Sequence, residues 1–396
     1  MADSDWRSLD LFAPSPEHAL LAETLAAFVK REVEPQAAAH DRDETFNRAL
    51  FRRAGELGIL GVTLPEEYGG AGLDAVAAVQ VCEALSTADP GFALAVLAHA
   101  ILFAQNLHVN GSEPLQKRVL PKAASGEWVC GMCMTEPAVG TDVLSMRTRA
   151  RRDGDAYVLD GVKTFITNGG VDETTLGDAF VVYAATGPRS LSAFLVEKGM
   201  SGFRLGQKWK DKLGMRASFT AELVFEGVRV PVANRLGEEG QGTLAMMRNL
   251  EIERLTLAAM SCGIARRSVE VMIGYASERQ SFGVPLREHG QIQRYIAESF
   301  AEYRAARTYV YDTARRLDLV ATGQRVDADG AKLFASQAAK RAADAAIQVL
   351  GGYGYMGEYV VERLWRDAKL LEIGGGTLEA HHKNLTKDLS RDPSLL

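Results

Sequence analysis

Apolar positions in the first part of the chain recur at helical spacing. Leu20, Leu21, Leu25, Phe28 and Val29 fall on one side of a helix over Ala19–Val33. Ahead of it, Ser15-Pro16-Glu17 offers an N-cap followed by Pro at the first helical position. The same reading predicts helices near Asn47–Leu57 and Ala75–Leu85, with breaks at Glu67-Tyr68-Gly69-Gly70 and Asp89-Pro90. The texture changes near Gly126. Short β-rich runs follow: Trp128 to Met134, Tyr157-Val158-Leu159, Ala179 to Tyr183 and Leu223-Val224-Phe225. Turn signals at Asp153-Gly154-Asp155, Asn168-Gly169-Gly170 and Glu226-Gly227 separate them, which predicts a compact antiparallel β-domain. After Gly242 long helical patterns return over Met246–Glu278, Ile292–Leu317, Ala328–Leu350 and Ala380–Leu389.

At 396 residues, two or three domains are expected: 1–126, 127–238 and 239–396 by these changes of texture. A net charge of −6 and the lack of a basic run argue against nucleic acid or an anionic membrane as partner. The apolar stretch from Gly91 to Ala104, interrupted by His99, is shorter than the roughly 20 residues that cross a bilayer, so a buried helix is expected. Met1 to Trp6 is acidic and resembles neither a signal core nor an Arg-rich leader, so the expected location is cytoplasmic. Cys82, Cys130, Cys133 and Cys262 are sparse, as in a reducing compartment. Cys130 and Cys133 have no second pair to complete a zinc site, and three apart on a strand they face opposite ways, so buried structural thiols and no metal are expected.

Gly352-Tyr353-Gly354-Tyr355-Met356-Gly357 matches a dinucleotide-binding pattern, but the residues before it read as helix where that fingerprint needs a strand. Glu251 and Glu253 are separable by helix geometry, since two residues turn a helix through about 200°. Glu251 has Arg248 and Arg254 three residues either side, which predicts a surface ion-pair network. Glu253 shares its face with Met246, Leu250, Leu257 and Met260, so its carboxylate is expected to be buried or to line an apolar pocket. On these residues alone it is either a structural partner of an Arg or a general base whose pKa burial raises. His381 and His382 have no metal-ligand spacing around them and read as unremarkable.

Several motifs occur together in a fixed order. They are Met132-Cys133-Met134-Thr135-Glu136-Pro137 with Gly140-Thr141-Asp142, then Phe165-Ile166-Thr167-Asn168-Gly169, then Leu213-Gly214-Met215-Arg216. Arg279-Gln280-Ser281-Phe282-Gly283, Gln348-Val349-Leu350-Gly351-Gly352 and Arg366-Asp367-Ala368-Lys369 with Gly374-Gly375-Gly376-Thr377 complete the set. Over roughly residues 15–390 the chain resembles the flavin-dependent acyl-CoA dehydrogenase family. The resemblance implies an α+β multi-domain fold: an N-terminal α-helical domain, a central antiparallel β-barrel-like domain and a C-terminal four-helix bundle. It implies FAD, held by Met132, Met134, Thr135, Gly140 and Thr141 on one loop and by Phe165, Ile166 and Thr167 on a strand where Trp is more usual than Phe. Arg279 and Phe282 would reach the diphosphate, and Gln348, Gly351 and Gly352 the adenosine, of a flavin in a neighbouring subunit of a homotetramer. Thr377 and Glu379 complete the implied cofactor set, and Thr141, Glu251, Arg254, Gly375 and Gly376 the substrate set.

Most members carry the catalytic Glu just before the Gly-Thr pair, where this chain has Gly375. Branched-chain (isovaleryl-type) and long-chain members carry it immediately before an Arg on an earlier helix, and this chain has Glu253-Arg254 there. The implied reaction is oxidation of an acyl-CoA to the 2-enoyl-CoA, with Glu253 taking the α-proton, hydride passing to flavin N5 and electrons leaving to an electron-transferring flavoprotein. Gly375 implies room for a branched, cyclic or bulky acyl group. Glu372 is the rival base. The sequence departs from the family at Glu251, usually Asp, and at Gly290, where a Gln is common; Gln291 and Gln293 lie close by and that contact stays unassigned. An acyl-CoA oxidase or a flavin-dependent lyase of the same fold, and a non-catalytic CoA- or flavin-binding protein, are the alternatives.

Overall fold

Ser15 caps the first helix through its hydroxyl, which accepts the His18 N–H, and Pro16 occupies the first helical turn. In the computed structural model, which describes residues 10–395 apart from 322 and 324, seven helices build the N-terminal region. These are α1 (Pro16–Phe28), α2 (Glu34–Asp43), α3 (Arg48–Glu56), α4 (Ala75–Ser86), α5 (Pro90–Leu97), α6 (Asn106–Asn110) and α7 (Glu113–Ala124). The acidic stretch Met1 to Trp6 lies outside the described residues. The predicted break at Asp89-Pro90 is a helix start: the Asp89 carboxylate accepts the Phe92 N–H and Pro90 needs no partner there. A π-helical segment, Ala98–Gln105, joins α5 to α6, so Pro90–Asn110 is one helical run of 21 residues. That corrects the expected length. The run is long and apolar enough to cross a bilayer, and burial, with 78% of its most apolar window inside the protein, marks it as a core helix.

The central region is one eight-stranded sheet. Its strands are β1 (Cys130–Cys133), β2 (Arg149–Asp153), β3 (Ala156–Thr167), β4 (Ala179–Gly187), β5 (Ser190–Glu197), β6 (Phe203–Lys208), β7 (Thr220–Pro231) and β8 (Arg235–Leu236). The order is β6-β7-β3-β2-β4-β5-β8, with β1 also on β4. Most pairings are antiparallel, but β1 and β2 both run parallel to β4. The end strands β6 and β8 do not meet, so the barrel-like sheet is not closed. Cys130 and Cys133 are fully buried free thiols on β1, as expected.

The C-terminal region contains α8 (Gly242–Glu278), α9 (Gly290–Arg316), α10 (Arg325–Leu350), the single turn α11 (Gly352–Tyr355), α12 (Val361–Leu371) and α13 (Leu378–Arg391). The motif 352–357 therefore follows a helix, as the sequence reading required. The sequence reading did not include α12, although Val361, Leu364, Ala368 and Leu371 form a buried stripe at helical spacing. Helix α8 packs against α4, α9, α10 and α12, and every residue from 251 to 265 is buried. This overturns the surface assignment of Glu251. A helix enclosed on all sides has no solvent face, and the Glu251 carboxylate instead accepts the Gly323 N–H at 3.1 Å.

One loop ties the three regions together. Arg366 on α12 pairs with Asp41 on α2 at 2.7 Å and donates to the Leu213 carbonyl at 3.2 Å. Its neighbour Asp367 accepts the Met215 N–H at 2.5 Å, and Lys212 donates to the Met215 carbonyl at 2.9 Å. Burial pushes the Asp367 carboxyl up to about 7 from an ordinary 3.8. A raised folded value means the folded chain holds this proton where the unfolded chain has lost it. The stabilisation is therefore complete below the ordinary carboxylate range and is lost as pH rises through about 7. We expect thermal stability to fall between pH 5 and 8, with Asp367 supplying on the order of 1–3 kcal/mol of the change. Asp367→Asn, which retains an acceptor for Met215, should flatten the profile; a slope unchanged from the parent chain would reject this assignment.

Candidate active site

The buried middle of α8 carries a carboxylate with little to satisfy it. Glu253 is 9% exposed, and its Oε2 has no hydrogen-bond partner among the described residues. Burial pushes its carboxyl up to about 7, against the opposing pull of Arg254 and Lys332. A proton acceptor that is neutral or charged near pH 7 according to small changes nearby suits general acid–base work.

Facing it is the glycine run after α12. Gly375 has φ +65° and Gly376 φ +111°, conformations that L side chains rarely adopt. A Cβ on Gly375 would sit 2.4 Å from Leu257 Cδ1 and 3.6 Å from Glu253 Oε1. The missing side chain at 375 and the carboxylate at 253 thus occupy adjoining space. Each glycine carbonyl is held from behind. Arg254 Nε donates to the Gly375 carbonyl at 3.2 Å. Lys332 Nζ donates to the Gly376 carbonyl at 2.6 Å, and the same oxygen lies 3.0 Å from His381 Nε2. Asp329 anchors these donors: it pairs with Arg254 at 2.7 Å, meets His381 Nδ1 at 3.1 Å and accepts Asn384 Nδ2 at 3.0 Å.

Asp329, Lys332 and His381 were missed from sequence, and His381 was read as unremarkable; it is fully buried and touches the glycine loop. A signal existed for Lys332. It lies on the α10 stripe of Ala328, Ala331, Ala335 and Ala339, where a charge is out of place without a partner. His381 lies on a helix of mixed polarity, where only the fold decides which face is inside. The rival Glu372 is held by Lys369 Nζ at 2.7 Å.

The second constellation lies at the edge of the sheet. Glu136 is buried against Lys163 at 2.9 Å and accepts the Arg147 and Thr148 N–H groups. Burial opposes its ionisation, but Lys163 and these N–H donors outweigh it and hold the carboxyl below its ordinary value. The loop so pinned leaves Gly140 and Thr141 exposed and Thr135 half-buried, with the Thr135 carbonyl accepting the Thr164 N–H at 2.9 Å. Met132 and Met134 belong to the same apolar cluster as Met246 and Leu250, on the α8 face that carries Glu253. Beside it β3 breaks register on β7 between Lys163 and Ile166. Phe165 sits in that break at φ +57°, 61% exposed, with the Trp209 ring 5.2 Å away. An exposed Phe165 backed by the half-buried Trp209, next to a glycine- and threonine-bearing loop, fits a planar ring such as the isoalloxazine of FAD. Ile166 is buried in the sheet core and can offer only its backbone, whereas Thr167 is half-buried.

A third group is well separated. Arg279, Gly351 and Gly352 line one cleft of about 430 Å³, with Gln348 exposed one turn earlier on α10 and Phe282 94% exposed nearby. Arg279 follows Glu253 by 26 residues, about 39 Å along α8 at the helical rise. Thr377 caps α13 through the Ala380 N–H, and Glu379 is exposed in its first turn. Among the described residues no cluster of His, Cys, Asp and Glu could hold a metal ion.

Known family models match the chain across all three regions. Residues 15–127, 131–228 and 240–390 match the family models described as acyl-CoA dehydrogenase N-terminal, middle and C-terminal domains. A mitochondrial isovaleryl-CoA dehydrogenase of Solanum tuberosum is 39% identical over 376 residues, covering 93% of this chain and 90% of the relative. The butyryl-CoA dehydrogenase of Megasphaera elsdenii superposes with a TM-score of 0.90 at 33% identity, over 95% of this chain and 98% of that one. An acyl-CoA dehydrogenase of Bacillus anthracis solved with FAD gives 0.88 at 33% identity, over 96% of this chain and 68% of that one.

Proposed function

The chain belongs to the acyl-CoA dehydrogenase family, an FAD-dependent oxidoreductase family, and from that premise we propose that Glu253 is the base that removes the α-proton of an acyl-CoA. The observation that carries this reading is the buried Glu253 carboxylate, with an unpartnered oxygen, set against the bare backbone of Gly375. The α-proton of a thioester is too weakly acidic for a carboxylate unless the enolate oxygen is stabilised as it forms. The Gly375 N–H is the donor proposed for that oxygen, and the grip of Arg254, Lys332 and His381 on the two glycine carbonyls supports the orientation of this backbone. Bound FAD supplies the acceptor for the β-hydride. The protein's part is to bury the carboxylate, hold the glycine loop, and present Phe165, Thr135 and Thr141 to the ring.

Arg279, Phe282, Gln348, Gly351 and Gly352 serve a flavin bound to another copy of the chain in this reading. The separation along α8 and the exposure of Phe282 support an oligomer, proposed as a homotetramer, in which two chains contact each FAD. An electron-transferring flavoprotein is the proposed acceptor. Glu251 is proposed to contribute to CoA binding from its buried place on α8, where it accepts the Gly323 N–H.

Gly375 presents no side chain to the substrate, whereas a Glu there would add bulk starting from a Cβ 3.6 Å from Glu253 Oε1. The acyl group is therefore proposed to be branched, cyclic or otherwise bulky. The test is an oxygen-free titration of the yellow protein with a panel of acyl-CoAs. Selective bleaching by a branched or cyclic acyl-CoA is expected. Faster bleaching by straight butyryl-CoA than by every bulky member would reject the pocket shape, and a flavin that no acyl-CoA reduces would reject the reaction.

A further inference from the structure

Lys332 is a lysine with no exposed surface in a helix whose inner face is mostly alanine. Burying an ammonium costs several kcal/mol unless charge and hydrogen bonds compensate. The compensation lies entirely at the proposed reaction centre. Its Nζ donates to the Gly376 carbonyl, one residue beyond the backbone that faces Glu253. We propose that Lys332 is a positioning residue with two coupled tasks: it fixes the Gly375–Gly376 backbone, and its charge keeps the buried Glu253 ionised and ready to accept a proton. The inference rests on Glu253 being the base.

The charges around the pair come from five elements. Arg254 lies beside Glu253 on α8 and pairs with Asp329 on α10. Glu372 at the end of α12 is engaged by Lys369. His381 on α13 sits between Asp329 and the Gly376 carbonyl, and burial pushes its imidazole towards the neutral form. Tyr183 on β4 is fully buried, its hydroxyl accepting from Asn106, and burial keeps it protonated. With His381 and Tyr183 neutral, the inner set of Arg254, Lys332, Asp329 and Glu253 sums to zero only when Glu253 is a carboxylate. Once Glu253 gains a proton the set carries one uncompensated positive charge. Lys332 is the member able to relieve it, since burial has pushed its ammonium down to about 8 and the guanidinium of Arg254 cannot give up a proton. Arg254 is shared between Glu253 and Asp329, so Lys332 supplies the second positive charge that balances the base.

The experiment follows the ionisation of Glu253 by infrared difference spectroscopy, as the protonated-carboxyl band that Glu253→Gln removes, in purified holoprotein. Lys332→Gln keeps a donor for the Gly376 carbonyl but removes the charge, and Lys332→Arg keeps the charge. We expect the Lys332→Gln band to titrate at least about one pH unit higher than in the parent chain, and the Lys332→Arg band within a few tenths of it. The acid limb of flavin reduction by acyl-CoA should move with the band. A Lys332→Gln band at the parent position overturns the proposal. If Lys332→Gln does not fold, the parent chain still decides: a midpoint near 7 is expected, and one at about 9, the upper range documented for a buried Glu, overturns it. Normal flavin reduction in Glu253→Gln would instead reject the base itself, which these readings distinguish.

Discussion

Glu253→Gln is expected to lower flavin reduction by acyl-CoA on the order of 10²–10⁴-fold, the usual worth of a general base. The substitution is close to isosteric in a buried site, so it removes the acceptor without opening a cavity. Arg254 keeps its contacts to Gly375 and Asp329, and the glycine loop should stay in place. FAD content and the spectral shift on binding an unreactive CoA ligand are therefore expected to match the parent chain. The pH dependence supplies an internal check. A protonated Glu253 cannot accept a proton, so reduction in the parent chain should fall as pH drops through about 7. That limb should be missing from the residual rate of the variant. If Glu253→Gln reduces flavin normally, attention passes to Glu372, which would first have to leave Lys369.

Gly375→Ala should have the second largest effect. At φ +65° an L side chain costs roughly 1–2 kcal/mol before any contact is considered. The added Cβ would also meet Leu257 Cδ1 at 2.4 Å, and Leu257 is 3% exposed within the main core, with little room to move. The loop must then shift, and it carries both the amide proposed to meet the enolate oxygen and the carbonyls held by Arg254 and Lys332. We expect a drop of about 1–3 kcal/mol in stability and at least a tenfold loss of flavin reduction, greater with bulky acyl-CoAs than with butyryl-CoA. Gly375→Ala combined with Leu257→Ala should recover part of the rate by removing the clash while leaving the backbone strain. Unchanged melting and unchanged reduction in Gly375→Ala would show that neither the conformation nor the space at 375 matters.

By itself the sequence determined the order of helices, sheet and helices, because local apolar periodicity separates a helix from a strand without reference to the rest of the chain. It also marked Glu253 through its place on the stripe of Met246, Leu250, Leu257 and Met260, and Gly375 through its resemblance to the position where most family members carry their catalytic Glu. Periodicity says which residues share a face, not what covers the opposite one. Glu251 was therefore misplaced: charged neighbours three residues away imply a solvent face, yet residues 251–265 of α8 are buried all round. The same reason kept Lys332 and His381 out of view. Lys332 lies 79 residues from Glu253 in the chain and His381 lies 128, and only the packing of α10 and α13 against the glycine loop gives their charge and hydrogen bonds a place to act. Whether β6 and β8 meet was likewise outside local reach, since sheet closure is a property of strand order and two strands run parallel to β4 after long connections. Residue type and spacing thus placed a carboxylate on an apolar face, the family resemblance proposed it as the base, and tertiary packing chose its charge partners.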